Sequence, residues 1–491
     1  MKRSNCILLM LVLFFFSCTA TKQVTVTGES TEQASLEQTD ILPVDAAVTL
    51  GKLDNGLKYY IRENHKPEKR MELRLVVNAG SILEDTDQQG LAHFTEHMAF
   101  NGTKNFPKQA LVDYLESIGM RFGPDVNAYT GFDETVYMLQ VPMDSTAVVR
   151  KAFAVLQDWA HNVSFEDEEI DKERGVIIEE WRLGRGANAR IRDKQFPILF
   201  KGSRYAERLP IGEKAVLDTF RHDTIRRFYR DWYRPDLMAV VAVGDFETQA
   251  IRGLIEEHFA SIPASPQSRE RQLYPVPKHE ETSFAIATDP EATWNSVDVV
   301  YKQDVRDEGT KEAYRQGIVE SLFNRMLNQR FYELTKTPDA PFLRGSSGQG
   351  RWVRTSEIYY LSAQVKEGGI LRGLDALLTE AARVKRHGFT PSELEREKVE
   401  VLRGLERAYE ERDKTPSRNY ASEYIRHYLS EEPIPGITAE YGMYRDMLPG
   451  IQLAEVNGLA AEWMSDKGRV ILVDAPEKEG LVVPTEDELL D

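Results

Sequence analysis

The chain has only two cysteines in 491 residues, Cys6 and Cys18, and both lie within its first eighteen positions. No disulfide can therefore form in the remainder of the chain, and no thiolate there can act as a nucleophile or bind a metal. Any metal site in the globular part must be built from histidine and carboxylate side chains.

The chain also has fewer basic than acidic residues. Its 62 Lys and Arg residues and 79 Asp and Glu residues give a formal net charge of −17. Binding to nucleic acid requires clustered basic residues, and the Lys and Arg of this chain are dispersed. We therefore expect no nucleic-acid partner. The length exceeds what one compact core accommodates, so we expect two to three domains.

Long apolar runs are scarce, and the run from Ile7 to Phe16 follows a basic start and precedes Ser17 and Cys18. It is too short to span a bilayer permanently and predicts an export signal over residues 1–18, which indicates the bacterial cell envelope or periplasm. A small residue before Cys18 resembles a lipoprotein processing site and makes Cys18 the predicted lipidation point. Phe15 departs from the usual aliphatic residue, so plain secretion is the alternative.

The remaining patterns divide the chain into segments. Residues 19–45 are polar and predict a flexible tether. Strand and helix patterns fill residues 46–260, the proline-rich residues 261–282 predict a linker, and a similar order of elements recurs over residues 283–480 before a tail at 481–491. The recurrence predicts an α+β fold of two homologous domains, each a mainly antiparallel sheet packed with helices.

Two histidines four residues apart, His93 and His97, lie in a predicted helix with Glu96 between them. Positions four apart share one helix face, so both imidazoles can point at one ion. Glu96 lies at the edge of that face, where a carboxylate can take a proton from an activated water. Histidines on an apolar helix are also compatible with core packing, so a third ligand is needed to decide.

Candidates for the third ligand lie in the later segment DKERGVIIEEW. Glu173 and Glu180 are seven residues apart and fall within roughly 20° of each other on one helix face, which Ile177 shares. Glu179 points away from it. Carboxylates on a partly apolar face need cations or hydrogen-bond donors, and a metal with its histidines would provide them. The spacing alone leaves both glutamates possible.

Several segments together resemble the pitrilysin/insulinase family of zinc metallopeptidases, the inverzincins, whose motif is H-x-x-E-H followed by a distant glutamate. The matching segments include LRLVVNAGSILED, GLAHFTEHMAFNGTKNFP, VNAYTGFDETVYMLQVP and ERGVIIEEW. The resemblance implies one zinc ion per chain, bound by His93, His97 and Glu180. It also implies that Glu96 is the general base and that Glu173 is a carboxylate supporting the site.

The resemblance further implies that Asn127, Ala128 and Tyr129 form an edge strand to which a peptide substrate adds, since main-chain hydrogen bonds recognise any extended peptide. It implies a clamshell of two halves, of which this chain supplies one. The second half would come from a dimer partner or from a longer chain. The expected activity is zinc-dependent endopeptidase cleavage of peptides or unfolded segments by a metal-activated water, with Glu96 as base.

The alternative function is a non-catalytic subunit that holds peptides or a partner within a metallopeptidase complex. Active members of the family need an arginine and a tyrosine from another domain to bind the substrate carbonyl. The second domain keeps Arg330, but Thr337 and Pro338 stand where the tyrosine is expected. We therefore expect the second domain to be non-catalytic.

Overall fold

A computed structural model describes residues 41–264 and 269–491. The predicted signal, Cys18 and most of the predicted tether lie outside the described residues, as do residues 265–268 of the predicted linker. Among the described residues no helix combines the length and the apolar character needed to cross a membrane.

The first sheet has six strands in the order β1-β2-β6-β3-β5-β4. Only β2 and β6 are parallel, and every other neighbouring pair is antiparallel. The central strand β6 is buried along its whole length, as its continuous apolar sequence MAVVAVG predicts for a strand covered on both faces. The strands are β1 (Val48–Lys52), β2 (Lys58–Glu63), β3 (Arg70–Val77), β4 (Val126–Thr130), β5 (Thr135–Pro142) and β6 (Met238–Gly244).

The second sheet has five strands in the order β7-β11-β8-β10-β9. Apart from β1, it repeats the first sheet strand for strand, with β7 and β11 parallel and the other pairs antiparallel. This confirms the predicted α+β repeat of mainly antiparallel sheets, whereas the exact domain boundaries stay a prediction. The strands are β7 (Ser283–Asp289), β8 (Asn295–Gln303), β9 (Arg344–Val353), β10 (Ser356–Val365) and β11 (Arg469–Pro476).

Helices surround both sheets. Those between β3 and β7 are α1 (Leu91–Met98), α2 (Ala110–Ser117), α3 (Thr146–His161), α4 (Asp167–Leu183), α5 (Ala187–Leu199), α6 (Lys214–Thr219), α7 (His222–Trp232) and α8 (Thr248–Phe259). Those after β8 are α9 (Lys311–Leu334), α10 (Ile370–His387), α11 (Pro391–Glu410), α12 (Ser417–Ser430), α13 (Ile437–Met447), α14 (Leu453–Trp463) and α15 (Glu486–Leu490). The last of these lies in the predicted tail.

The two halves share a core. One face of the first sheet packs against helices of the same half, including α3 and α8. Its other face is covered by α12 from the second half, where Tyr424 and Ile425 pack against Tyr60, Val76 and Val241. Burying these apolar side chains removes them from water and ties the second half to the first.

The strand β9 has no strand pattern in the sequence, because its segment RGSSGQGRWV is rich in glycine and serine. Packing explains its conformation. A Cβ added to Gly348 would lie 2.5 Å from the hydroxyl of Tyr360 on the neighbouring strand β10, so only glycine lets that ring lie across β9.

The turn between β4 and β5 is held by residues from three other parts of the chain. The carboxylate of Asp133, only 5% exposed, accepts hydrogen bonds from the hydroxyl of Tyr205 at 2.8 Å and from the guanidinium of Arg271 at 3.0 Å. It also accepts one from the backbone N–H of Arg354, at the β9–β10 turn, at 3.2 Å. Arg354 in addition pairs with Glu134 at 3.1 Å. The second sheet and the predicted linker therefore fix the position of the β4–β5 hairpin.

Candidate active site

The helix α1 carries the two histidines, and its first turn is fixed by neighbouring residues. Gly90, just before it, has φ 99°, a conformation that favours glycine, and a Cβ there would lie 3.0 Å from Gly212. The buried carboxylate of Glu84 accepts hydrogen bonds from the backbone N–H groups of Gly90 at 3.0 Å and Ala92 at 2.7 Å. These bonds satisfy donors that a helix start leaves free.

The buried side of α1 packs against α4, the helix that carries the candidate third ligand. Burial of Ile177 agrees with the helix face predicted for it, and it turns Glu173 and Glu180 towards the histidines. The apolar cluster at this contact contains Leu91, Phe94, Met98, Phe165, Ile170, Ile177, Leu217, Phe220 and Ile225.

The side chains of His93, His97 and Glu180 converge at the open end of this contact. One ligand atom from each lies within 4.8 Å of the others. The Nε2 of His93 is 3.7 Å from Oε1 of Glu180, and the Nε2 of His97 is 3.2 Å from its Oε2. Among the described residues, no other group of three histidines or carboxylates offers such an arrangement.

These distances fit zinc. Ligands about 2.0–2.1 Å from a tetrahedral ion lie roughly 3.3 Å from one another. The separations of 3.7 and 3.2 Å, which join His93 and His97 to different oxygens of the Glu180 carboxylate, are close to that value. Two imidazole nitrogens and one carboxylate oxygen are a donor set that zinc enzymes use, and the fourth position stays free for water or substrate.

Glu173 holds His97 in the orientation that a metal ligand needs. Its Oε1 lies 2.7 Å from Nδ1 of His97, and its Oε2 accepts a hydrogen bond from the side-chain amide of Asn101. When the N–H group at Nδ1 donates this hydrogen bond to the Glu173 carboxylate, the lone pair of Nε2 faces Glu180. The Glu173 carboxylate therefore orients the His97 imidazole, and the imidazole in turn presents Nε2 to the metal position.

Ionisation in the metal-free protein reflects the same geometry. Burial lowers the pKa of His93 to about 4. Burial also opposes the charged form of His97, but its hydrogen bonds to Glu173 and Glu180 outweigh burial and raise its pKa to about 9. The hydrogen bond from His97 lowers the pKa of Glu180. A proton shared by His97 and Glu180 thus occupies the place where a cation would bind, and metal binding would release it.

Glu96 lies beside the ligands and is 8% exposed. Burial raises the pKa of its carboxyl group. Its Oε2 accepts a hydrogen bond of 2.6 Å from the hydroxyl of Thr130, at the end of β4. Its Oε1 makes no hydrogen bond within the described residues.

The strand β4 is an edge of the first sheet, because among the described residues its one neighbouring strand is β5, and Val126 at its start makes an isolated bridge to Phe122. Residues paired by two main-chain hydrogen bonds alternate along an antiparallel ladder. Gly131 N donates to Glu134 O at 2.8 Å and Gln140 N donates to Asp125 O at 2.7 Å, which fixes the phase of this alternation. The N–H and C=O groups of Ala128 and Thr130 therefore face the open edge.

At that edge the N–H of Ala128 is 2.9 Å from the side-chain oxygen of Asn127. Asn127 and Tyr129 point away from the side of the sheet on which α1 lies, and the ring of Tyr129 is partly exposed. The three residues expected from the sequence to receive a peptide thus lie together on one open strand next to Glu96.

The structure brings together the predicted metal ligands, the predicted base and the predicted edge strand. Three further residues that contact this site were not predicted from the sequence: Glu84, Thr130 and Asn101. Glu84 binds the start of α1 from six residues before Gly90, and Thr130 binds Glu96 from 34 residues further along the chain. No helix or strand pattern in the sequence indicates either contact. Asn101 is four residues after His97, a spacing that places two side chains on the same side of a helix. This spacing is the one feature of the sequence that could have indicated a role for Asn101 at the site.

Comparison with known proteins identifies the family. The family model described as Insulinase (Peptidase family M16) matches residues 59–184, and the one described as Peptidase M16 inactive domain matches residues 219–400. The chain belongs to the peptidase M16 family of insulinase and pitrilysin type, as the sequence resemblance predicts.

Two of its curated relatives are named as zinc proteases and are about twice its length. The chain is 37% identical over 422 residues to a zinc protease PQQL-like protein of Arabidopsis thaliana, covering 86% of this chain and 41% of that protein. It is 30% identical over 451 residues to a probable zinc protease PqqL of Haemophilus influenzae, covering 91% and 48%. The chain therefore spans about half the length of the curated relatives it matches.

A solved structure confirms the fold. The crystal structure of the first half of the periplasmic protease PqqL from Escherichia coli matches 92% of this chain and 96% of its own, with a TM-score of 0.86 and 27% sequence identity. The full PqqL structure matches over 50% of its length with the same score. The chain has the fold of one half of a two-half clamshell protease.

We expect Glu173→Ala to weaken zinc binding about 10–100-fold, because His97 loses the carboxylate that orients it. The matched control is Glu179→Ala on the same helix, whose exposed side chain pairs with Arg182 and with no other residue that the structure describes. Competition with a chromophoric chelator measures both affinities. Equal zinc affinity in Glu173→Ala and the wild type would contradict the orienting role.

Proposed function

We propose that the chain is a zinc-dependent endopeptidase that hydrolyses peptides or unfolded segments. The observation that carries the proposal is the meeting of His93, His97 and Glu180 beside Glu96 and the open edge of β4. Ligands, base and peptide-binding edge are the three parts that metal-assisted hydrolysis of an extended peptide requires.

Zinc held by His93, His97 and Glu180 would polarise the scissile carbonyl and lower the pKa of a water. Glu96 takes a proton from that water on its free oxygen as the water oxygen bonds to the scissile carbonyl carbon. It then delivers the proton to the nitrogen of the leaving amine as the C–N bond breaks. Glu173 keeps Nδ1 of His97 protonated and Nε2 available throughout.

The substrate in this proposal is an extended peptide that adds as a strand beside β4. The outward N–H and C=O groups of Ala128 and Thr130 are bound by the peptide backbone, so recognition depends little on side chains. In the free protein the N–H of Ala128 donates a hydrogen bond to the side-chain oxygen of Asn127. In the complex a carbonyl oxygen of the peptide takes the place of that side-chain oxygen. A segment whose main-chain groups are already paired within a folded protein cannot add to β4 in this way.

A second candidate is the non-catalytic, peptide-holding subunit. One contact favours it: Arg330 is bound to Glu393 at 2.6 Å and to Glu380 at 3.0 Å, so it is not free to bind a substrate carbonyl. If the protein is one half of a clamshell, the group that binds the substrate carbonyl comes from the second half, which is either a dimer partner or part of a longer chain. Zinc binding without cleavage until a second half is added would support a joint site.

We further propose export to the periplasm with a lipid anchor at Cys18. The basic start and short apolar run of residues 1–18 support export, and the Escherichia coli relative is a periplasmic protease.

Glu96→Gln should bind zinc as the wild type does but lose hydrolysis, because the amide cannot accept the proton of water while the ligands are unchanged. A quenched fluorescent peptide measures cleavage, and metal analysis measures zinc. A chelator should abolish wild-type cleavage and added zinc should restore it. Cleavage by Glu96→Gln at the wild-type rate would refute the mechanism.

Ala128→Pro should raise KM about tenfold while zinc binding persists, because proline removes one outward N–H without breaking a bond to β5. Ala128→Ser keeps the N–H and is the control, with a KM near that of the wild type. Steady-state cleavage of the same peptide measures both. An unchanged KM in Ala128→Pro would place the peptide elsewhere.

Cys18→Ser should abolish the incorporation of a labelled fatty acid that the wild type takes up, because the thioether to the lipid can no longer form. Metabolic labelling with a fatty acid measures this, and fractionation with immunoblotting locates the wild-type protein. A wild-type protein found only in the soluble fraction, without label, would favour plain secretion.

A further inference from the structure

The hydroxyl of Thr130 makes a contact to which the mechanism above gives no role. We infer that Thr130 is a positioning residue that aligns Glu96 with the peptide strand added to β4. This inference rests on the proposed function and deepens it, because it identifies what relates the base to the substrate.

The direction of the hydrogen bond follows from its surroundings. The hydroxyl oxygen of Thr130 lies 2.6 Å from Oε2 of Glu96 and 3.4 Å from the hydroxyl of Thr135. Thr135 gives its own proton to the backbone carbonyl of Ala79 at 3.0 Å. The proton of Thr130 is therefore donated to Glu96, the nearer and more basic acceptor.

This bond fixes the orientation of a buried carboxylate. Within the described residues, Thr130 is the only hydrogen-bond partner of the Glu96 carboxylate. A glutamate has three rotatable bonds, and without a partner its carboxylate would sample several orientations in the site. Fixing Oε2 leaves Oε1 directed towards the reacting groups.

The backbone of the same residue faces the substrate. The ladder of β4 and β5 turns the N–H and C=O groups of Thr130 to the open edge, where a peptide strand would pair with them. One residue thus contacts the peptide through its main chain and the base through its side chain. Thr130 therefore sets the distance between the Glu96 carboxylate and the scissile bond of a peptide paired with β4.

The hairpin that carries Thr130 is itself anchored. The carbonyl oxygens of Gly131 and Phe132 accept hydrogen bonds from the backbone N–H groups of Ser81 at 3.2 Å and Ile82 at 2.8 Å. A Cβ on Gly80 would lie 2.4 Å from the same Gly131 oxygen, so this approach is close. Together with the bonds to Asp133, these contacts hold Thr130 in place while a peptide binds.

The test compares Thr130→Val with Thr130→Ser in the full chain. Valine has the shape of threonine and suits a strand but has no hydroxyl, whereas serine keeps it. We expect Thr130→Val to lower kcat between about tenfold and 100-fold, with KM and zinc affinity unchanged, because only the charge-assisted hydrogen bond is lost. Thr130→Ser should restore most of kcat.

The matched control is Thr49→Val on β1, the opposite edge of the same sheet. It should leave kcat, KM and zinc affinity at wild-type values. A double-mutant cycle adds a sharper measure: in the Glu96→Gln background, Thr130→Val should cause no further loss of residual activity, because the two residues act as one unit.

Wild-type kcat in Thr130→Val would overturn the inference. So would a loss that appears in KM or zinc affinity and that serine does not restore, since that pattern indicates a structural role in β4. A crystal structure of metal-free Thr130→Val gives an independent readout, in which we expect the Glu96 carboxylate to turn from its wild-type orientation. If the wild type proved inactive, the proposed function would fail, and an unchanged Glu96 in that crystal would separately refute the role of Thr130.

Discussion

The contact between α1 and α4 is the interaction on which the site depends. Leu91, Phe94 and Met98 of α1 pack with Ile170 and Ile177 of α4 in one apolar cluster. Burying these side chains supplies the free energy that holds the two helices together. The ligands themselves oppose this arrangement in the metal-free protein, since it brings two partly buried imidazoles and the carboxylates of Glu173 and Glu180 close together. A shared proton or a bound cation offsets that cost.

Around this contact the protein uses different means to fix each polar group. His97 is oriented by a carboxylate from α4, and the start of α1 is capped by a carboxylate from the segment after β3. The base Glu96 is held from a third direction, by the strand that forms the open edge. No single element contains the site, so its geometry depends on the relative placement of helix and sheet.

The second half of the chain, although described in its family as inactive, contributes to this placement. Its helix α12 covers one face of the first sheet, and Arg354 from its β9–β10 turn binds the turn of the β4–β5 hairpin. Loss of the second half would expose apolar strand surface and release the hairpin. The duplicated sheet therefore acts as structural support for the strand that bears Thr130.

Helical spacing in the sequence was enough to bring His93 and His97 to one face and to narrow the third ligand to Glu173 or Glu180. Hydrophobic patterns likewise predicted the duplicated α+β order, because burial imposes regular spacing on local segments. Tertiary structure alone assigned different contacts to the two glutamates, linked Thr130 to Glu96 and made the glycine-rich segment of β9 a strand. These features depend on contacts between distant residues, which no local pattern encodes.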